Sequence, residues 1–213
     1  MTGEQRSMRF FFVRHGQSEA NLLHEFSNKG MKHLLSGQGL SQALQLAAKL
    51  KHCAITRIYS SPVLRAIHTT QIVAETLGIP SFEVNEALRE YDVGLLEGKS
   101  DQESWALFEN LQKRWEDPRN CNEKIEGGES FSDIQKRFSA FVTDVLYTHD
   151  AGDNVLCVTH GGLLRIGLPA VLQNVDYSFA REHGLDNCDI VVAASKEKCI
   201  ECLKWGSLEL KPE

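Results

Sequence analysis

The feature that most constrains this chain is a pair of short, unbroken apolar runs, Phe10–Val13 and Val155–Val158. Each is followed at once by a polar residue and a His-Gly step. A run of this length with no polar alternation fits a buried strand, and it sets strands at Met8–Val13 and Asn154–Thr159. It is too short for a signal-peptide core or a membrane span, and no later stretch approaches ~20 apolar residues.

Helical spacing fills the sequence between these runs. Leu40, Ala43, Leu44, Ala47 and Leu50 form one stripe, so Leu40–Leu50 reads as a helix. Ala54–Tyr59 reads as a strand, and Ser61-Pro62 as the N-cap and first position of a helix that runs to Leu77 and stops at Gly78. A further helix is expected over Ser100–Trp115, ended by Asp117-Pro118. Gly127-Gly128 marks a turn, and Ser130 with Asp133 has capping-box spacing ahead of a helix to Tyr147. Leu163–Leu172 reads as a helix, and Asp189–Ala194 with Cys199–Trp205 as a closing strand pair. Strands separated by helices predict an α/β fold with a largely parallel sheet covered on both faces. No repeat or linker interrupts the chain, so residues 1–213 are expected to form one domain, with loop-rich insertions at His24–Gly39 and Asp117–Gly128.

Composition narrows the function classes. The formal charge of −6, from 29 acidic and 23 basic residues, argues against nucleic acid or an anionic membrane as a partner. It leaves room for a small anionic ligand held by a few local cations. Six cysteines in a chain of 213 residues fit ordinary thiols of a reduced, cytoplasmic protein. Cys199 and Cys202 match C-x-x-C, but they stand in a strand-like segment where positions three apart face opposite ways.

In an open α/β sheet, ligands gather at the carboxyl ends of the strands, and both histidines of the His-Gly steps fall there. Glycine after each lets the backbone turn tightly and offer its N–H groups to an anion. Arg65, in the first turn after Ser61-Pro62, is poorly placed for the helix dipole. It reads either as a solvated side chain or as a cation that shares an incoming anion with the helix end.

Together these segments resemble the histidine phosphatase superfamily, the phosphoglycerate-mutase-like fold. Arg14-His15-Gly16-Gln17-Ser18-Glu19-Ala20-Asn21 is similar to that family's R-H-G-x-S-x-x-N signature. Leu35–Ala43, Ser60-Ser61-Pro62-Val63-Leu64-Arg65-Ala66, Leu88-Arg89-Glu90 with Gly94 and Glu97-Gly98, Gly127–Ser130, and Thr159-His160-Gly161 follow in the family's order. The resemblance implies a three-layer α/β/α fold and a phosphomonoesterase acting through a phosphohistidine on His15. It further implies that Arg14, Arg65, Asn21, His160 and Gly161 hold the phosphoryl group of a small phosphorylated substrate, and that Glu90 serves as acid and base. No metal motif is present, and covalent histidine chemistry requires no cofactor.

Cofactor-dependent mutases pass through the same intermediate and stay as the alternative. The family's mutases carry Tyr, Lys and Asn where this chain has Val93, Asp101 and Gly162, which favours the phosphatase branch. A non-catalytic binding module of the same fold would be expected to lack one of His15, Arg65, Glu90 or His160. Arg89 reads as loop-orienting or as a surface residue, and Glu129 as a helix cap or an orienter of an arginine. His24, His33, His52, His68, His149 and His183 have no partner at metal-ligand spacing. Insertions around His24–Lys32 and Asp101–Lys124 are expected to roof the pocket, and they carry Lys29, Lys32, Lys113, Arg114, Arg119 and Lys124 without a role assigned to any. Neither the particular ester nor the oligomeric state follows from the sequence.

Overall fold

The unbroken apolar runs become central strands because both of their faces are covered. In the computed structural model, which describes residues 7–196 and 199–211, seven strands form one sheet. They are β1 (Arg9–Arg14), β2 (Arg57–Ser60), β3 (Glu83–Val84), β4 (Asn154–Thr159), β5 (Ile190–Lys196), β6 (Cys199–Trp205) and β7 (Leu208–Glu209). Their order is β3-β2-β4-β1-β5-β6-β7, with β1 to β4 mutually parallel and β5 to β7 antiparallel. The outermost residues of the expected domain, 1–6 and 212–213, lie outside the described residues, as do 197–198 between β5 and β6.

The helices are α1 (Glu19–Leu23), α2 (Gly37–Leu50), α3 (Leu64–Leu77), α4 (Gln102–Arg114), α5 (Phe131–Thr148), α6 (Gly161–Gly167) and α7 (Tyr177–Glu182). Phe10 and Phe12 of β1 with Val155 and Cys157 of β4 pack in one cluster with Ile134, Phe138 and Phe141 of α5 and Leu163 and Leu164 of α6. Phe11 and Val13 with Leu156 and Val158 pack in a second cluster with Leu46 and Leu50 of α2 and Ala66 and Val73 of α3. Alternate residues of each strand thus feed opposite layers, which is why neither run shows polar alternation. Each such side chain contributes about 1.5–3 kcal/mol by leaving water. This is an α/β fold with a mostly parallel central sheet.

Several boundaries differ from the sequence expectation for local reasons. The strand expected from Ala54 starts at Arg57, since Ala54 has φ +46°, a left-handed conformation that a strand cannot continue through. Helix α3 starts at Leu64, because the Ser61 hydroxyl accepts the Val63 N–H (3.2 Å) and meets His160 instead of capping a helix. Helix α6 begins at Gly161 and gives way after Gly167 to a 3-10 turn, Leu168–Ala170, where Pro169 has no N–H to donate. Helices α1 and α7 and strands β3 and β7 were not legible; each spans six residues or fewer. Helix α5 follows expectation: Ser130 and Asp133 make the capping box. Cys199 is exposed and Cys202 buried, as expected for opposite strand faces. No helix among the described residues is long and apolar enough to cross a membrane.

Candidate active site

Parallel pairing brings the carboxyl ends of β1, β2 and β4 together: Arg14 sits beside Thr159, and Ser60 beside Val158. His15 and His160, one residue past β1 and β4, therefore face each other with ring centroids 5.1 Å apart. Both are almost fully buried, at 3% and 0% exposure.

Hydrogen bonds fix the ring nitrogens in a single chain. The Gly16 carbonyl accepts from His15 Nδ1 at 2.7 Å, which leaves His15 Nε2 to accept from Arg65 Nε at 2.9 Å. Arg65 Nη2 donates to His160 Nδ1 at 3.1 Å, so His160 carries its proton on Nε2 and gives it to the Ser61 hydroxyl at 2.7 Å. Burial holds both imidazoles well below the ordinary histidine range, and the Arg65 guanidinium pushes the same way. Both rings are neutral at pH 7. Arg65, itself buried, is pushed down to about 10 by desolvation and still remains a cation.

The backbone around His15 is held tightly. The Thr69 hydroxyl accepts the Gly16 N–H at 3.1 Å, and Asn187 Nδ2 donates to the His15 carbonyl at 2.9 Å. Asn21, which lines the cavity, accepts at Oδ1 from the Ser18 N–H and hydroxyl at 3.0 and 3.1 Å. Arg14 donates to the Leu185 carbonyl at 2.6 Å, and its Cδ lies where a Cβ on Gly161 would stand 3.1 Å away.

Glu90 enters from the loop after the 3-10 turn Glu86–Leu88. Its two oxygens accept the N–H groups of Tyr91 and Gly162, both at 3.1 Å. Burial raises its pKa despite those bonds and the nearby Arg65. Gly162 is required by this arrangement, since a Cβ there would lie 2.5 Å from the Tyr91 ring and 2.9 Å from both Glu90 oxygens.

That loop is anchored by a carboxylate. Glu129 accepts from Arg89 at 2.7 and 3.2 Å, from Arg137 at 2.9 and 3.1 Å, and from the Asp92 N–H at 2.9 Å. Arg137 also donates to the Ala87 carbonyl at 2.6 Å. Glu129 is therefore an orienter of two arginines and not a helix cap. Burial opposes its ionisation, but Arg137 and Arg89 outweigh this and lower its pKa. Its contribution to stability is full above the unfolded carboxylate pKa of ~4.5 and is lost as pH falls through the lower folded value. Glu129→Gln should cost about 1–3 kcal/mol at pH 7 and less at pH 3. Urea titrations at the two pH values check this; equal midpoints for variant and wild type at pH 7 would contradict it.

A cavity of about 300 Å³ opens over these groups. Arg14, His15, Asn21, Arg65, Glu90 and Gly161 all line it, so the site residues expected from the sequence converge, with His160 buried directly behind. Phe26 and Trp105, stacked at 4.0 Å, belong to its wall and come from the two insertions expected to roof it. The insertions' cations do not line it. Lys29 pairs with Asp92, Lys32 with Glu25, Arg114 with Glu123, Arg119 with Asp117 and Lys124 with Asp133.

Of the positions separating phosphatase from mutase, only Gly162 lines the cavity. Val93 is buried in the core, and Asp101 caps α4 through the Ser104 N–H (2.9 Å) and hydroxyl (2.8 Å). Asp101 is thus engaged at the helix N-terminus and does not line the cavity. Ser61 and Arg165, also part of the site region, were missed: Ser61 stood inside a motif read only for Arg65, and Arg165 looked like an ordinary helical residue. Among the described residues no cluster of three or more His, Cys, Asp or Glu side chains could hold a metal.

Known proteins are similar to this chain in sequence and in fold. The chain is 33% identical over 160 residues to a putative phosphoserine phosphatase 2 of Hydrogenobacter thermophilus, covering 73% of this chain and 74% of that one. It is 34% identical over 160 residues to a 2,3-bisphosphoglycerate-dependent phosphoglycerate mutase of a Bradyrhizobium species, covering 72% and 75%. A solved mycobacterial hydrolase superposes with a TM-score of 0.81 at 25% identity, over 95% of this chain and 99% of the other. The histidine phosphatase superfamily, branch 1, matches residues 10–208. With that match spanning nearly all of the sheet and both histidine-bearing strand ends, the chain belongs to the histidine phosphatase superfamily, whose phosphatases and mutases act on phosphate esters.

Proposed function

We propose that this single catalytic domain is a phosphomonoesterase, hydrolysing a small phosphate ester through a phosphohistidine on His15. The observation that carries the reading is the hydrogen-bond chain from the Gly16 carbonyl through His15, Arg65 and His160 to Ser61. It holds His15 neutral, with the Nε2 lone pair on the side of the Arg65 cation, in the cavity that Glu90 also lines. A neutral, oriented imidazole is a competent nucleophile toward phosphorus.

The substrate phosphoryl group binds among Arg14, Arg65, the Asn21 amide and the Gly161 N–H, with His160 beside it. Charge-assisted bonds from arginine suit its oxygens. As the phosphate engages Arg65, the Nε2 lone pair turns from the guanidinium to phosphorus. The N–P bond forms while the ester P–O bond breaks, and the leaving oxygen takes the Glu90 proton. Water then attacks the phosphohistidine and gives its proton to the Glu90 carboxylate. The P–N bond breaks with its electron pair returning to Nε2, and inorganic phosphate leaves.

Relatives named for phosphoserine and for phosphoglycerate support a small phosphorylated substrate. They also keep transfer to a hydroxyl as the competing outcome. A phosphate-release assay over a panel of esters, with His15→Ala as blank, should show His15-dependent hydrolysis. Phosphoglycerate isomerisation should be slow beside it; efficient isomerisation with little phosphate release would reverse the assignment to mutase.

A further inference from the structure

A guanidinium has five N–H groups, and Arg65 commits three of them within the protein. Nε goes to His15, Nη2 to His160, and Nη1 to the Ser27 carbonyl at 2.5 Å. One N–H is left on each terminal nitrogen, the pair that meets two oxygens of a phosphoryl group side by side. The Ser27 bond therefore helps to set how that pair is aimed.

Ser27 belongs to a short strap, residues 26–29, whose Phe26, Ser27 and Asn28 line the cavity. The peptide group that gives its carbonyl to Arg65 carries the Asn28 N–H on its opposite edge, since a trans peptide points the two apart. That N–H goes to both carboxylate oxygens of Glu97, at 3.0 and 3.1 Å, and the Lys29 N–H joins it at 3.1 Å. Directly after Glu97, Gly98 turns the chain at φ +79°, a conformation that favours glycine. Its N–H then meets the Phe26 carbonyl at 2.7 Å, and the Phe26 N–H returns to the Lys99 carbonyl at 2.9 Å. Glu97 is thus fixed against the strap by its backbone as well as its side chain. It does not line the cavity, so it reaches a substrate only through the strap.

We propose that Glu97 is a positioning residue for phosphoryl binding, holding through one peptide group the guanidinium that also aligns His15. The inference rests on the phosphoryl-transfer reading of the cavity. Carboxylate, N–H, carbonyl and guanidinium form one line, in which each hydrogen bond polarises the next. Burial disfavours the Arg65 cation, and the negative charges of Glu90 and Glu97 oppose that loss. The strap is also tied to the Glu90 loop, by Asn28 Nδ2 on the Tyr91 carbonyl (2.9 Å) and Lys29 on Asp92 (2.8 Å). An effect carried by those ties would act on the proton donor and depend on the leaving group. An effect carried by Arg65 would not.

The test is a double-mutant cycle on nitrophenyl phosphate, a reactive ester that keeps weakened variants measurable: wild type, Glu97→Ala, Arg65→Lys and the pair. Glu97→Ala should lower kcat/KM about 10- to 100-fold, the worth of a charge-assisted contact, and equally for nitrophenyl and alkyl esters. Glu97→Gln, which keeps one acceptor oxygen without the charge, should lose less. In the Arg65→Lys background the guanidinium is gone, so Glu97→Ala should cost no more than about twofold. Isothermal titration with inorganic phosphate should show weaker binding by Glu97→Ala and an intermediate affinity for Glu97→Gln. If circular dichroism shows Glu97→Ala unfolded, Glu97→Gln takes its place in the cycle. Losses that add in the cycle, or that fall mainly on alkyl esters, would overturn the role of Glu97 and leave the phosphatase reading standing. Absence of any hydrolysis would count against the phosphatase reading. The phosphate titrations would then decide for or against Glu97, with no difference between wild type and variants overturning its role.

Discussion

Replacing His15 with alanine is expected to reduce phosphate-ester hydrolysis by roughly 10⁴-fold or more, leaving the fold intact. The expected loss is large because no other group can take over. His160 Nδ1 is the nearest alternative lone pair, but it accepts from Arg65 and its ring is held from the far side by Ser61. The cysteines of the core are no substitute, since burial pushes the Cys188 thiol up to about 12, far from a thiolate at neutral pH. Stability should change little by comparison. His15 is neutral in the folded protein and contributes one ring-to-backbone bond and one bond to Arg65. Its loss is expected to shift the thermal midpoint by only a few degrees, on the order of 2–4 °C per kcal/mol for a chain this size. Circular dichroism melts beside the release assay check both halves. Full activity in a folded His15→Ala protein would contradict the nucleophile assignment.

Glu90→Gln should show a loss that depends on the leaving group. General-acid assistance is worth about 10²–10⁴-fold when the departing oxygen is basic, as in an alkyl ester, and far less for a nitrophenolate. The variant keeps the shape of the residue and an oxygen for the Gly162 N–H, so altered binding should be minor. The pH profile follows from the same groups. Burial raises the Glu90 pKa, so wild-type turnover of alkyl esters should fall as pH rises through that value and the acid is lost. Burial lowers His15, so the nucleophile stays neutral and active well below pH 6.5. The alkaline fall should vanish for nitrophenyl phosphate in Glu90→Gln. An equal loss for both classes of ester would count against the proton-donor role.

Much of this was legible before the fold was known, and the reasons are specific. The two strands carrying His15 and His160 were visible because both of their faces are buried, which removes polar alternation. Helix α5 was visible because Ser130 and Asp133 cap it reciprocally within a few residues. What stayed hidden depends on long-range contacts. Ser61 looked like a helix cap until His160, 99 positions away, proved to be its partner. Glu129 fitted either of two roles until Arg89 and Arg137 were seen to converge on it. The loop cations looked available for a substrate, and nearby carboxylates turned out to hold five of them. Arg165 lay within a helix of unremarkable pattern, and only the closing of the cavity gave it a place beside Glu90.

The central claim is covalent transfer to one nitrogen, and rapid acid-free quenching tests it directly. Wild-type protein mixed with a ³²P-labelled ester and stopped in alkaline denaturant should carry a base-stable, acid-labile label. Peptide mapping should place that label on His15, with ³¹P NMR assigning it to Nε2, and His15→Ala should carry none. A label on another residue, or hydrolysis in which no labelled protein forms while single-turnover kinetics show water attacking the ester directly, would contradict the account.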